Sequence, residues 1–237
     1  MNLAIEVNGL TKSYKTKSGD TIDAVKGIDL HVAEGEILAF LGSNGAGKTT
    51  TIEILEGFRD RTAGDVLVLG QDPQTAPLSW REDIGIVLQE SQPDADLTAR
   101  EAVGMYASYY DAPRPVDEVL QIVGLGDSAD QRTKALSGGQ KRRLDLAIAL
   151  VGDPKLIFLD EPTTGFDPSA RREAWEMIEH LRDVGATVLL TTHYMDEAEH
   201  LADRIVVISG GVIAAEGSAA DLADQVKLHT RISWDAA

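Results

Sequence analysis

One octapeptide organises this chain, Gly42-Ser43-Asn44-Gly45-Ala46-Gly47-Lys48-Thr49. It fits the pattern GxxxxGK[ST], in which glycines allow successive backbone N–H groups to point at phosphate oxygens. An apolar run precedes the loop and a helix-like stretch, 49–55, follows it, so the positive end of a helix dipole would face the same phosphates. We expect Lys48 to reach the outer phosphates of a nucleotide, Thr49 to bind Mg²⁺, and Thr50 to complete the nucleotide contacts.

Short apolar runs recur along the chain and are interpreted as strands. Continuous runs of this length are typical of central strands in a parallel sheet that is covered on both faces. The runs are 37–41, 65–69, 84–88, 156–159 and 187–190. Because helix-like stretches alternate with them, the sequence predicts an α/β architecture with a central, mostly parallel sheet.

Two other segments show a pattern of antiparallel strands. Residues 5–7 and 28–32 alternate between apolar and polar side chains, and a Ser18-Gly19-Asp20 turn lies in the polar segment between them. Alternation is typical of antiparallel strands with one solvated face, so we expect an N-terminal antiparallel β subdomain. Residues 204–213 predict a hairpin that turns at Gly210-Gly211.

Strand signals fade between about 93 and 135. Two segments of helical character, 98–110 and 116–123, are separated there by Pro113 and Pro115. We interpret this region as a helical insertion between two strands of the sheet.

The sequence therefore predicts a single domain over 1–237, a length that can bury a substantial core. Its catalytic core would consist of about 1–92 and 152–237 and would include the antiparallel strands. A helical subdomain would occupy about 93–151.

Composition limits the compartments and partners that fit this chain. No cysteine is present, which excludes disulfides and thiolate metal sites and fits a reducing compartment. The net charge of -17 disfavours DNA or RNA, because phosphate contacts need clustered Lys and Arg and the cluster Lys141-Arg142-Arg143 is short. No apolar run approaches a membrane span, and the first residues lack the pattern of a secretory signal. We expect a cytoplasmic protein.

The apolar run 156–159 ends in the acidic segment Asp160-Glu161-Pro162. Ligands of open parallel sheets bind at the carboxyl ends of strands. We expect Asp160 to hold the Mg²⁺ shell, through water, and Glu161 to orient and deprotonate an attacking water. Two acids at the start of a loop are common by themselves; together with the phosphate loop they predict nucleotide hydrolysis.

The segment Leu136-Ser137-Gly138-Gly139-Gln140 lies just upstream of these acids. Ser137 and Gln140 have the spacing of a capping box that opens a helix towards Val151. Two glycines would leave N–H groups uncovered at that helix start and make it a second anion-binding end, although an ordinary helix cap explains the same residues. The segment resembles the LSGGQ signature of ABC ATPases, and the resemblance extends over essentially the whole chain.

The resemblance implies a P-loop NTPase fold whose helical subdomain carries the signature, and a working pair of copies. In this family two ATP molecules lie between two subunits in a head-to-tail arrangement. Asp167, in the segment Gly165-Phe166-Asp167, would cross that interface; Phe166 stands where the family more usually has Leu, a mild departure that leaves hydrolysis possible. The signature residues of one copy would contact the ATP held by the other: Ser137, Gly138, Gly139 and Gln140.

Three further residues match positions of the family. Gln89 matches the glutamine that contacts Mg²⁺ and senses the membrane partner, and His193 matches the switch histidine that contacts the γ-phosphate. Tyr14 matches the aromatic residue that stacks on adenine, although a lone tyrosine before a polar hairpin is also common at protein surfaces. A zinc site with His193 and His200 is disfavoured, because no further ligand has recognisable spacing.

The function implied is that of the Mg²⁺-dependent ATPase subunit of an ABC transporter. Residues 191–199 and 88–90 resemble the multidrug and antibiotic export branch, the ABC-2 type. The implied partners are an integral-membrane subunit, which would choose the cargo, and a second ATPase chain, identical in the simplest case or related. The protein would lie peripherally on the cytoplasmic face of the membrane.

Two other functions fit the same ATP site. A soluble ABC ATPase that acts on ribosomes or DNA is disfavoured by the single domain, the lack of a coiled-coil insertion and the negative charge. A regulatory module that binds nucleotide without hydrolysis is disfavoured by Glu161 and His193.

Overall fold

The computed structural model describes residues 2–87, 94–183 and 185–229. Within these ranges there are nine strands, in chain order β1 (Leu3–Lys15), β2 (Thr21–Ala33), β3 (Ile37–Leu41), β4 (Ala63–Val68), β5 (Ile84–Val87), β6 (Leu156–Asp160), β7 (Thr187–Thr192), β8 (Arg204–Ser209) and β9 (Val212–Gly217). The same ranges contain seven α-helices, α1 (Lys48–Leu55), α2 (Ala99–Ala107), α3 (Val116–Ile122), α4 (Gly138–Leu150), α5 (Pro168–Asp183), α6 (Met195–Leu201) and α7 (Ala219–His229). Short 3-10 helices lie at Leu78–Asp83, Gly126–Ser128 and Thr133–Ala135.

The strands form two sheets. The smaller has the antiparallel order β2-β1-β4, and the larger has the order β5-β6-β7-β3-β8-β9. Neighbours from β5 to β8 run parallel, whereas β9 is antiparallel to β8. These observations confirm the α/β class, the N-terminal antiparallel strands and the hairpin at Gly210-Gly211.

Strand β3 lies inside the larger sheet, and its alternating side chains belong to two cores. Ile37 and Ala39 pack among helices on one face, whereas Leu38 and Phe40 pack against α1 and the antiparallel sheet on the other. All four side chains have 0% exposure. Burial on both faces explains why the strand is entirely apolar, and it holds the loop that follows Leu41 at a fixed edge of the sheet.

The helical segment connects two neighbouring strands. Helices α2, α3 and α4 follow one another between β5 and β6, and these strands pair in parallel, with Val87 opposite Leu159. The predicted helices at 98–110 and 116–123 are confirmed as α2 and α3. The subdomain boundaries stay a prediction.

Two strand predictions need correction. The run 65–69 belongs to β4, which pairs antiparallel with β1 and has one solvated face: Val66 is buried, whereas Leu67 is 41% exposed. The exposed leucine makes a one-sided strand look like a central one. Strand β5 lies at the edge of the larger sheet as described, not in its centre, and Leu88 falls outside the described residues.

Candidate active site

The glycine-rich loop connects β3 to α1. Gly47 is the N-cap of α1, and its φ of 112° lies in the left-handed region that other residues rarely adopt. A Cβ atom at this position would lie 2.7 Å from the backbone oxygen of Ala24 on β2. A side chain here would separate the loop from that strand, so the local packing requires glycine.

An open cleft of about 440 Å³ lies at this loop, a volume typical of ligand pockets. Asp160 and Glu161 form one side of it, and Ala24 lines it as well. The residues that the loop and α1 contribute are Ser43, Asn44, Gly45, Gly47, Lys48, Thr49 and Thr50. The structure therefore brings the predicted phosphate loop and the predicted acids to one cleft.

Lys48 lies between the loop and the acids. It is 5% exposed, and its Nζ donates to the backbone oxygen of Gly42 at 2.7 Å. The same Nζ lies 3.4 Å from Oε1 of Glu161. An ammonium group this deeply buried needs such partners, and the ion pair joins the two predicted halves of the site.

Thr191 fixes the geometry of both acids. Its side chain is on β7, next to β6, and is fully buried. The hydroxyl donates to Oδ1 of Asp160 at 2.5 Å and accepts from the backbone N–H of Glu161 at 3.0 Å. Glu161 has φ of 44°, an uncommon value for a residue other than glycine, and this hydrogen bond helps to hold it there.

The carboxylate of Glu161 lies close to three other side chains of the site, those of Lys48, Thr164 and His193. Oε2 accepts a hydrogen bond from Thr164 Oγ1 at 3.0 Å and lies 3.3 Å from Nδ1 of His193. Burial acts to raise the pKa of Glu161, but the Thr164 hydrogen bond and the charges of Lys48 and His193 outweigh it and lower the pKa below its usual value. The residue is therefore held as a carboxylate.

His193 also borders the phosphate loop. It follows β7 and lines a recess together with Gly42, Ser43 and Asn44. The backbone N–H of Gly42 donates to the backbone oxygen of Thr192 at 3.1 Å, which holds the end of β7 against the loop. The histidine is thus placed near both Glu161 and the predicted position of the outer phosphates.

Ser137 starts α4 with the predicted capping box. Its hydroxyl accepts from the N–H of Gln140 at 3.2 Å, and Oε1 of Gln140 accepts from the N–H of Ser137 at 2.9 Å. Among the residues that the structure describes, a Cβ atom at Gly138 or Gly139 would meet nothing within 4 Å. The packing of this chain does not require glycine at these positions. In the described part of the chain, none of these four residues lines the cleft at Lys48.

Tyr14 lies on β1 beside the start of α1. Its hydroxyl is 3.4 Å from Oγ1 of Thr50, a residue of the cleft. Two cations lie over its ring, Lys12 Nζ at 5.1 Å from the ring centre and Arg59 Cζ at 5.4 Å. The position is compatible with a contact to the base of a nucleotide held at the loop.

The remaining predicted residues lie apart from the cleft or outside the description. Asp167 accepts from the N–H groups of Ala170 and Ser169 at 3.0 and 2.8 Å, and these bonds lower its pKa. It thereby caps the start of α5. Ala46 is buried in the core behind the loop. Gln89 belongs to 88–93, outside the described residues.

Sequence reasoning missed Arg142 as a part of the site. The residue is 8% exposed, and its guanidinium donates to the backbone oxygens of Pro162 at 3.2 Å and Asp160 at 3.3 Å. Burial lowers its pKa although acids lie nearby. Helix α4 is thus bonded to the backbone on both sides of Glu161. Arg142 lies four residues before the buried Leu146, so both side chains share one face of α4. This spacing is the sequence signal that could have shown an inward side chain.

The glycine-rich loop connects an inner parallel strand, β3, to a helix. It faces the paired acids at the end of β6, which is separated from β3 by β7 alone. This is the arrangement of a P-loop nucleotide-binding domain. Comparison with known proteins identifies the family. The family model described as ABC transporter matches residues 25–164.

Two curated relatives resemble most of the chain. The daunorubicin/doxorubicin resistance ATP-binding protein DrrA of Streptomyces peucetius is 42% identical over 224 residues, which cover 92% of this chain and 66% of that protein. The Nod factor export ATP-binding protein I of Rhizobium sp. (strain N33) is 42% identical over 221 residues, which cover 91% of this chain and 71% of that protein. The chain thus spans about two thirds of the length of these relatives.

A solved structure agrees with the same family. The dimeric, post-hydrolysis state of the ATP-binding cassette MJ0796 bound to ADP and Pi matches with a TM-score of 0.78 and 27% identity over 91% of this chain and 98% of that chain. The chain belongs to the ABC transporter family. Among the described residues, no helix combines the length and apolar character needed to cross a membrane.

Proposed function

We propose that this chain is the ATP-hydrolysing subunit of an ABC exporter and drives the export of a drug-like or other small molecule through a separate integral-membrane subunit. The observation that carries the proposal is the carboxylate of Glu161, which lies 3.4 Å from Lys48 and 3.3 Å from His193 at the phosphate loop. The names of the two curated relatives, a drug-resistance protein and an export protein, support the direction and the kind of cargo.

Hydrolysis needs positioned charges and a base, and the side chains at the cleft would provide both. Lys48 and the N–H groups of the loop would bind the phosphates, and His193 would contact the γ-phosphate. Glu161 would orient the attacking water and accept its proton, because its lowered pKa keeps it ionised. Thr191 would keep the carboxylate of Glu161 in place through the backbone.

The residues of the cleft also fit Mg²⁺. In nucleotide sites this ion is bound by one or two carboxylates, a hydroxyl and substrate phosphates, and does not need a protein cage. Thr49 and Asp160 line the cleft and would supply the hydroxyl and the carboxylate, and Gln89 would add a further ligand. The bound ion would neutralise charge on the β- and γ-phosphates.

A second copy would complete each site. Among the described residues of the chain, nothing lies within 4 Å of a Cβ atom placed at Gly138 or Gly139, so the approach of another molecule would explain their lack of side chains. The start of α4 would then direct its N–H groups and Ser137 at the ATP of the partner, with Asp167 at the same interface. The matched cassette structure is dimeric and holds ADP and Pi, which supports this arrangement.

ATP binding would close the pair and hydrolysis would open it, and this cycle would move the membrane subunit. The protein would lie on the cytoplasmic face of the membrane, bound through that subunit. Nucleic acid is not an expected partner, since the net charge is -17.

Glu161→Gln tests the hydrolytic part of the proposal. The amide cannot accept the proton of water, so we expect kcat to fall at least ~100-fold while ATP still binds. ATPase turnover and the binding of a fluorescent ATP analogue should be measured together, with Glu173→Gln on α5 as the matched control. Turnover near that of the wild type in Glu161→Gln would remove Glu161 from its role.

Capture of the tagged chain from detergent-solubilised native membranes tests the transport part. We expect a polytopic membrane protein in near-equal amount, identified by mass spectrometry. Ribosomal proteins or DNA-repair factors in its place would contradict the transporter proposal and leave the ATP site intact.

A further inference from the structure

A stack of rings and one cation leads from α5 to His193. The ring of Tyr194 lies on that of His193, with 3.9 Å between the ring centres and 40° between the planes. The guanidinium carbon of Arg171 lies 4.8 Å from the centre of the Tyr194 ring and 4.8 Å from that of Trp175. One arginine is thus held between two aromatic rings, a geometry that a planar guanidinium favours.

The stack is anchored at its far end. Arg171 also pairs with Asp196 on α6 at 2.5 Å, and Nε1 of Trp175 donates to Glu197 at 3.2 Å. Glu197 is 1% exposed and accepts from Thr163 Oγ1 at 2.6 Å. Within the described part of the chain, Nε of Arg171 is buried without a hydrogen-bond partner. The aromatic contacts and the Asp196 pair therefore determine where the guanidinium lies.

Arg171 also connects this stack to the first turn of α5. Its backbone N–H donates to the oxygen of Asp167 at 3.0 Å in the first turn of α5. The proposed interface residue Asp167 and the proposed phosphate contact His193 are therefore joined by one turn of α5 backbone and by the packed side chains of Arg171 and Tyr194.

We propose that Tyr194 and Arg171 are positioning residues that orient the imidazole of His193 for its contact with the γ-phosphate. The inference rests on the proposed role of His193. Tyr194 acts through its ring face and not through its hydroxyl, and Arg171 acts through its planar group and not only through its charge.

Steady-state ATP hydrolysis by variants of the full chain distinguishes the ring of Tyr194 from its hydroxyl, and the planar group of Arg171 from its charge. We expect Tyr194→Leu to lower kcat about tenfold and to leave KM within about twofold, because a misplaced catalytic group affects the chemical step more than binding. Tyr194→Phe keeps the ring and should retain kcat. Arg171→Lys keeps the positive charge but lacks the planar guanidinium. We therefore expect its kcat to be lowered as much as that of Arg171→Met. Tyr109→Leu, at an exposed tyrosine elsewhere, is the matched control.

A double-mutant cycle decides whether the effect passes through His193. Single-turnover hydrolysis of radiolabelled ATP should be measured for His193→Ala, Tyr194→Leu and the double variant. We expect the double variant to be as slow as His193→Ala alone. A further tenfold loss in the double variant, or an unchanged kcat in Tyr194→Leu, would overturn the inference. If His193→Ala itself hydrolyses ATP at the wild-type rate, the proposed role of His193 is wrong, and the positioning role falls with it.

Discussion

At the scale of single residues, the ion pair between Lys48 and Glu161 would couple the proposed phosphate binding to the proposed catalysis. Lys48 is one of the groups that lower the pKa of Glu161. Phosphate oxygens bound to Lys48 would weaken that stabilisation of the carboxylate, so we expect ATP binding to raise the pKa of Glu161. In the proposed site, the carboxylate would therefore become a stronger base once ATP occupied the loop.

Glu56 gives a prediction about stability. It caps the C-terminal end of α1 and is 5% exposed. Burial, with the charges of Asp160 and Glu53 in addition, raises its pKa from 4.5 to about 8. Its contribution is full below pH 4.5 and is lost as the pH rises through 8, because the folded state keeps a proton that the unfolded chain releases.

Glu56→Gln should therefore reduce the decline of the free energy of unfolding between pH 5 and pH 8. The amide stays neutral over the whole range and keeps the size of the side chain. Urea unfolding at both pH values measures the effect, and Glu199→Gln, at an exposed residue of α6 that does not influence Glu56, is the control. Parallel pH curves for Glu56→Gln and the wild type would show that this carboxyl is ionised in the folded protein.

Single residues were predictable from the sequence where a local motif specifies them. The loop, the paired acids and the Ser137–Gln140 box all consist of neighbours in the chain. Arg142 and Thr191 could not be assigned in this way, because their partners come from other elements: α4 bonds to the segment after β6, and β7 bonds to β6. Such contacts depend on how helices and strands pack.

At the scale of elements, two helices begin with nearly identical capping boxes. Thr98 and Glu101 start α2, with hydrogen bonds of 3.2 and 2.8 Å, and Ser137 and Gln140 start α4, with 3.2 and 2.9 Å. A cap of this type contributes about 1 kcal/mol to stability. Only the second helix start has the two glycines and the proposed contact with ATP.

Thr98→Ala and Ser137→Ala form a matched pair for this reason. We expect both variants to lose about 1 kcal/mol of unfolding free energy, and only Ser137→Ala to lose ATPase activity, by about tenfold or more. Chemical denaturation and steady-state hydrolysis are the two measurements. Equal loss of activity in both variants would mean that Ser137 acts only as a helix cap.

The sequence predicted which segments form strands better than it predicted the place of each strand in the two sheets. In the described part of the chain, each predicted apolar run coincides with a strand over most of its length, since the apolar pattern indicates burial. The pattern does not report which sheet a strand joins. Leu67 faces solvent on β4, and β5 occupies an edge, because these placements depend on neighbours that are distant in the chain.

At the scale of the whole molecule, the order of the large sheet creates the site. Strand β3 pairs in parallel with β7, and β7 pairs in parallel with β6. The loop, His193 and the paired acids therefore lie together at the carboxyl ends of these three strands. This order was not available from the spacing of motifs. The same fold holds the start of α4 away from its own cleft, which is why one chain is proposed to contain two halves of different sites.

The central claim is that ATP binds between two copies of this chain. Static light scattering of purified Glu161→Gln, with Mg²⁺ and either ATP or ADP, tests it most directly. Because we expect this variant to bind ATP without turnover, we predict that ATP doubles the molar mass and that ADP does not. A single-chain mass with ATP demonstrably bound would contradict the account.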